Sequence, residues 1–210
     1  MKDIPEKSVE RFCKYRQILL NILDSGKEYI FSHELAAILD SSPAQVRRDL
    51  MMLNIMGTPQ RGYNIRQFLK DISDVVDTKE GQLACLVGVG KLGQAILTYF
   101  SKRRPNLSIV AGFDNDAQKI GKHHGECSIY SIDKLEQIIR EKNITVGMVT
   151  VPASHAQSTV DVLVSCGVKG IVNFAPTHLR VPKGVFLENL DITLSVEKTA
   201  YFAKFYSDNK

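Results

Sequence analysis

Leu83-Ala84-Cys85-Leu86-Val87-Gly88-Val89-Gly90-Lys91-Leu92-Gly93 is the stretch whose reading decides the fold. Five apolar residues run into three glycines in a GxGxxG pattern, and Gln94 to Phe100 continue with helical spacing. That order predicts strand, glycine turn, helix. The first glycine permits the tight turn, the second lets backbone approach a pyrophosphate, and the third lets the helix pack closely on the strand. The helix N-terminus then faces the anion. By itself the pattern is common. It gains weight from a second apolar run, Ser108 to Phe113, which delivers Asp114 about 20 residues past the glycines, where a carboxylate takes ribose hydroxyls. An acid there favours NAD(H) over NADP(H), because it repels a 2′-phosphate.

The 210 residues, 44% of them hydrophobic, are enough for two cores at about 100–150 residues per domain. No apolar run reaches the length of a membrane span, and the first residues, Met1-Lys2-Asp3-Ile4-Pro5, hold no apolar signal core, so a cytoplasmic protein without membrane contact is expected. Cys13, Cys85, Cys127 and Cys166 are scattered, with no CxxC and no His pair at ligand spacing, which argues against a disulfide framework and against a metal site. A net charge of +4 is too small to announce nucleic acid. Where the charge sits matters more.

Residues 8–23 have the apolar spacing of one amphipathic helix, and Ser32 is placed to cap a second, short one. Ser42 as N-cap, Pro43 at the first helical position and Gln45 three residues after the cap predict a third helix opened by a capping box. Val46, Leu50 and Leu53 would face inward on it, while Gln45, Arg47, Arg48 and Asp49 project from its first turns. This is the helix-turn-helix layout, in which the second helix enters the major groove; arginines suit guanine or phosphate, and Gln45 suits adenine or backbone. From Pro43 to Lys70 the bases are Arg47, Arg48, Arg61, Arg66 and Lys70, against Asp49 alone. The turn-rich residues 57–63, ending in Arg61-Gly62-Tyr63, predict a small wing, and Asn64 with Gln67 caps a fourth helix. The alternative is a basic surface on a helical accessory domain.

Polar residues 77–82 read as an interdomain link. Beyond the glycine turn, strands and helices alternate: a helix opens at Ser131, a strand covers 144–151, a helix starts at Pro152, and a strand covers 168–174. The fold class expected is α/β, an N-terminal winged helix (1–77) followed by a Rossmann-like doubly wound parallel sheet (78–194) and a terminal helix (195–210). Ligands lie off the carboxyl ends of such strands, which brings Thr150-Val151-Pro152 and Asn173-Phe174-Ala175-Pro176 beside the glycine turn, with Asn173 suited to a carboxamide. Both prolines also read simply as strand-ending turns.

Ala44-Gln-Val-Arg-Arg-Asp-Leu50, Arg61-Gly-Tyr-Asn64, Gly88-Val-Gly-Lys-Leu-Gly93, Gly112-Phe-Asp-Asn-Asp116 with Lys119-Ile-Gly121, Thr150-Val-Pro-Ala153, Gly170-Ile-Val-Asn-Phe-Ala-Pro176 and Glu188-Asn-Leu-Asp-Ile192 together are specific in order and spacing. On these the chain resembles the Rex family of NAD(H)-sensing transcriptional repressors, nearly end to end. The resemblance implies a homodimer that exchanges its C-terminal helix, binds palindromic double-stranded operator DNA, and lets go when NADH rises relative to NAD. It adds Asn115 and Lys119 to the cofactor candidates, and Ile192, Tyr201 and Phe202 to the dimer interface. Tyr99 and Asp191 become switch candidates, with Arg11 an alternative partner for that Asp. From the residues alone, the last helix equally covers its own sheet. The resemblance weakens at Met51-Met-Leu-Asn-Ile-Met56 and Thr58-Pro-Gln60, where the family has an aromatic-glycine segment and a basic wing turn.

Two other classes share the glycine turn: a small NAD-dependent dehydrogenase and a CoA-binding α/β protein. After Gly81 the chain has residues for a dinucleotide domain and one helix but not for a substrate domain. None of His33, His123, His124, His155 or His178 has a carboxylate at catalytic spacing, so no enzyme is expected.

Overall fold

Phe12, Tyr15 and Leu19 follow one another at helical spacing along α1 (Glu6–Asp24), and all three are fully buried. The structure, a computed structural model, describes residues 4–78, 81–100 and 106–208, and the chain divides into two compact units, Met1–Glu80 and Gly81–Lys210. In the first unit α1 is followed by β1 (Tyr29–Ile30), α2 (Ser32–Ile38), α3 (Pro43–Met52), β2 (Tyr63–Asn64) and α4 (Ile65–Val76). Phe12, Tyr15, Val46, Leu50, Phe68 and Ile72 share one core. β1 pairs antiparallel with β2, and Thr58 and Gly62 exchange backbone hydrogen bonds of 2.9 and 2.8 Å, so residues 58–62 close a tight wing tip.

Local chemistry sets the helix starts. Ser42 Oγ accepts from the Gln45 amide at 3.1 Å, the first half of a capping box. The return bond is not made, because the Gln45 side chain is taken by Asp49 and Arg48. Phe31, rather than Ser32, stands at the N-cap of α2, where Glu34 accepts from its amide at 2.9 Å. Asn64 caps α4 by accepting from Gln67 N at 3.0 Å, and an Arg16–Asp77 ion pair of 2.9 Å fastens α1 to the residue ending α4. Of the predicted link, Lys79 and Glu80 lie outside the described residues, and Gln82 already belongs to the first strand of the second unit.

That unit runs β3 (Gln82–Val87), α5 (Lys91–Phe100), β4 (Leu107–Asp114), β5 (His123–His124), β6 (Cys127–Ser131), α6 (Leu135–Lys142), β7 (Val146–Val149), α7 (Ala153–Ser165), β8 (Gly170–Asn173), β9 (Phe186–Asn189) and α8 (Ile192–Asp208). The sheet order is β5-β6-β4-β3-β7-β8-β9, parallel throughout except for β5 against β6. Because the chain leaves β3 first to one side and later to the other, a crevice opens at the carboxyl ends of β3 and β7. The strands expected over 144–151 and 168–174 are shorter, although Ile144 and Val168 are buried beyond their ends.

The last helix starts earlier than expected and departs from the alternative reading of its role. α8 begins at Ile192 rather than Ser195, with Asp191 Oδ1 accepting from Leu194 N at 2.9 Å at its head. Its described side chains are all exposed, Leu194 at 61%, Val196 at 62% and Tyr201 at 64%, so it does not cover its own sheet. Among the described residues no helix is long and apolar enough to cross a membrane.

Leu163 on α7 is fully buried in the larger core of this unit. Leu163→Ala is expected to destabilise it by about 2–5 kcal/mol, read as an earlier thermal transition with Phe12→Ala, in the other unit's core, as the comparison.

Candidate nucleotide cleft and nucleic-acid face

Gly88 turns the chain out of β3 at φ +96°, and a Cβ there would lie 2.8 Å from the Thr150 carbonyl oxygen. Thr150 itself donates from Oγ1 to Gly88 O at 2.6 Å, fastening the turn to the end of β7. Gly93 is buried on α5, and a Cβ on it would collide with the Gly88 carbonyl. Glycine at these positions therefore lets helix and strand touch. The first-turn amides of α5 have no carbonyl a turn earlier to donate to, and so offer themselves to an anion.

Asp114 ends β4 beneath this turn, 8% exposed. Its Oδ2 accepts from the Val89 amide at 2.8 Å and from Lys119 Nζ at 3.1 Å, and its Oδ1 accepts from the Asp116 amide at 2.9 Å. Burial opposes its ionisation, but these donors outweigh it and hold the carboxyl below the usual Asp range.

A cleft of about 910 Å³ opens here, lined by Gly88, Gly90, Asp114, Asn115, Lys119, Thr150, Val151 and Pro152 among the residues singled out from sequence. Val89 sends its amide to Asp114 and its side chain into the core, while the Lys91 and Leu92 side chains are exposed at the head of α5. Asn173 was expected to meet a carboxamide, and the structure corrects this. It is buried, with Nδ2 donating to Ala175 O, Thr177 O and Asn189 Oδ1 at 3.2, 2.9 and 3.0 Å, and Oδ1 accepting from Ala175 N. Its polar atoms are consumed in a knot that holds Phe174-Ala175-Pro176 against β9, and none of these four residues lines the cleft. Sequence reading missed most of the far wall: Ile132, Asp133, Leu135, Glu136 and Gln137 after β6, and Ser158, Thr159 and Val162 on α7, where His155, the histidine expected near Thr150-Val151-Pro152, also lines the cleft. The signal for the first group was available, since β6 is another strand whose carboxyl end faces the crevice.

On the first unit, Arg47 and Arg48 are exposed on α3, and Ser42 is spent on the cap. Asp49, expected to project beside them, is instead completely buried. It accepts from Arg11 Nε and Nη2 at 2.6 and 2.7 Å, from the Tyr15 hydroxyl at 2.6 Å and from Gln45 Nε2 at 3.0 Å. The Arg11 guanidinium donates to Asp49 and to Ser8 within its own unit. In the wing Arg61 lies over the Tyr29 ring at 5.9 Å. Gly62 is buried against Ile30, and the Tyr63 ring packs on Phe68, so of these three only Arg61 is displayed.

Tyr99 is 54% exposed on α5, edge-on to Phe100; Ile192, Tyr201 and Phe202 are exposed on α8, and Asp191 caps it. Cys85 and Cys127 are buried thiols whose pKa values burial pushes up to about 12 and about 11, and no cysteine is bonded to another. Among the described residues no three His, Cys, Asp or Glu side chains gather as metal ligands.

A small unit with an exposed basic helix and a wing, joined to a doubly wound sheet with a cleft at its switch point, defines the class of ligand-responsive DNA-binding proteins. Residues 3–50 match a family described as "Putative DNA-binding protein N-terminus", and residues 78–177 match the CoA binding domain family. The redox-sensing transcriptional repressor Rex of Carboxydothermus hydrogenoformans is 38% identical over 194 residues, 92% of this chain and 93% of the relative. The crystal structure of RSP in complex with β-NAD+ and operator DNA superposes with a TM-score of 0.87 at 26% identity, covering 99% of this chain and 95% of that one. RSP in complex with β-NADH gives 0.84 at 26% identity with both chains fully covered. The chain belongs to the Rex family of redox-sensing transcriptional repressors.

Burial disfavours the Asp49 carboxylate, but Arg11, Tyr15 and Gln45 together depress its pKa. A depressed folded-state pKa means that its contribution to stability is complete above the unfolded value of about 4 and is lost as pH falls through the folded value. The first unit is therefore expected to lose stability on acidification below pH ~4, and Asp49→Asn to flatten that part of the pH profile in circular dichroism melts. For the cleft, Gly93→Ala is expected to abolish nucleotide-dependent stabilisation and to lower the melting temperature of the second unit.

Proposed function

We propose that this Rex-family chain holds a pyridine dinucleotide in the cleft, binds palindromic operator DNA as a homodimer through α3 and the wing, and releases it when NADH rises relative to NAD+. The carrying observation is Asp114, buried beneath the glycine turn and held ionised by three donors, the Val89 and Asp116 amides and Lys119 Nζ, at the end of the strand where such folds take ribose hydroxyls. The first-turn amides of α5 would receive the pyrophosphate. The lining Val151 and Pro152, at the end of β7, would border the nicotinamide half. The cleft volume lies in the upper range for small-molecule sites, as a dinucleotide needs. RSP, solved both with NAD+ and operator DNA and with NADH, supports extending these ligands to this chain.

Exposed apolar residues along α8 support a dimer in which that helix is exchanged, because an amphipathic helix gains stability from burying its apolar side. Redox control then requires that the two nucleotide forms differ in affinity for two arrangements of the dimer. Tyr99 and Asp191 are our candidates for the changing contact. Asp191 caps α8, so any pull on its carboxylate acts on the exchanged element. We read the protein as a regulator rather than an enzyme, since the relative it matches over 92% of its length is a transcriptional repressor.

Coenzyme A is a second reading, favoured by the family match over residues 78–177. Its ribose carries a 3′-phosphate, which Asp114 would repel. A ligand at about 100 times its Kd adds about 2.7 kcal/mol of stability, so NADH is expected to raise the melting temperature and CoA to leave it unchanged. In gel shifts with a palindromic duplex selected from a randomised pool in NAD+, added NADH should dissolve the complex. A complex indifferent to the NADH:NAD+ ratio, or stabilisation by CoA alone, would refute the proposal.

A further inference from the structure

We propose that Asp49, although DNA cannot reach it, sets the base discrimination of α3 by fixing the side chain of Gln45 and, through it, that of Arg48. The inference rests on the DNA-binding role proposed above and adds a positioning residue to it.

Asp49 lies on the inward side of α3, with 1% of its side chain accessible. Its two oxygens receive four donors: Arg11 twice, the Tyr15 hydroxyl and the Gln45 amide nitrogen. Four is about the capacity of a carboxylate. The group is therefore saturated, and Arg11 and Tyr15, both on α1, prevent it from turning.

This rigidity passes outward to the exposed face. With Gln45 Nε2 committed to Asp49 Oδ1 at 3.0 Å, Gln45 Oε1 faces away and accepts from Arg48 Nη2 at 2.9 Å. A flipped amide would set two acceptor oxygens against each other and at the same time present an NH2 group to a guanidinium. Both contacts would become repulsive, so the carboxylate dictates one amide orientation. Arg48 is in turn held by one edge, and its remaining N–H groups point from a fixed place. Bidentate base reading depends on such fixed geometry, whereas a phosphate contact tolerates a mobile guanidinium.

The test compares wild type, Asp49→Asn, Gln45→Ala and the double variant on the selected palindromic duplex and on poly(dI-dC), with NAD+ present. Asp49→Asn should lower the ratio of the two affinities about tenfold, the scale of one lost base contact, while the slope of log Kd against log salt stays as in wild type because the phosphate contacts persist. NADH-dependent stabilisation of the second unit should not change. In the Gln45→Ala background the Asp49 substitution should cost little further discrimination, since residues acting through one another are not additive. Should Asp49→Asn fail to fold, Tyr15→Phe removes one donor with the ring retained, and a smaller loss that Gln45→Ala also absorbs is expected. Full additivity, or unchanged discrimination in both Asp49→Asn and Tyr15→Phe, overturns the role of Asp49 alone. A wild-type protein that selects no duplex overturns the DNA-binding reading beneath it.

Discussion

The nucleotide unit depends on backbone meeting backbone where the turn after β3 packs against the end of β7, and Gly88 leaves no room for a side chain before the Thr150 carbonyl. Thr150 closes the contact from its own side with bonds to Val87 O and Gly88 O. Opposite, Gly93 brings α5 down onto the same turn. The amides at the head of α5 can converge on an anion only because backbone meets backbone at both points. The cleft, its acid and its position at the switch point all descend from that contact.

The two units solve a similar electrostatic problem. Each buries one carboxylate at the element that would meet a ligand, and each surrounds it with donors rather than with a single counter-ion. Desolvation alone would drive such groups to protonate. Asp114 escapes through two backbone amides and a partly exposed lysine, so its field remains available at the cleft edge. Asp49 escapes through an arginine, a phenol and a glutamine amide, all within its own unit. A ligand can compete with Lys119, which lies at the surface of its pocket.

Sequence reading located the glycine turn, Asp114, the strand and helix alternation and the helix starting at Pro43, because each has a short-range cause: an apolar run, a cap, or a required glycine. It failed where the cause is tertiary. Asp49 in a row of polar residues reads as solvent-facing, and only the approach of α1, 38 residues away for Arg11, makes it a buried acceptor. β5 and β9 sit at the sheet edges, with Phe186 half exposed, and carry no apolar run to announce them. The part of the far wall that α7 supplies comes from a helix whose own pattern speaks only of its packing on the sheet. Asn173 shows the same limit: a polar side chain near a functional segment can be engaged by its neighbours, and spacing does not reveal it.

Asn173 shows what such a knot is for. Its side chain joins the end of β8 to Asn189 at the end of β9, and its carbonyl accepts from Leu190 N at 2.8 Å. The next residue, Asp191, caps α8. From Thr150 at the cleft to the head of α8 the connection therefore runs through two parallel strand pairings, β7 with β8 and β8 with β9, and a pair of asparagines, with no long flexible segment at the junction. Interiors packed in this way shift between discrete arrangements rather than deform continuously. With its amide inside the knot, Asn173 holds the ends of β8 and β9 in register up to the residue that caps α8.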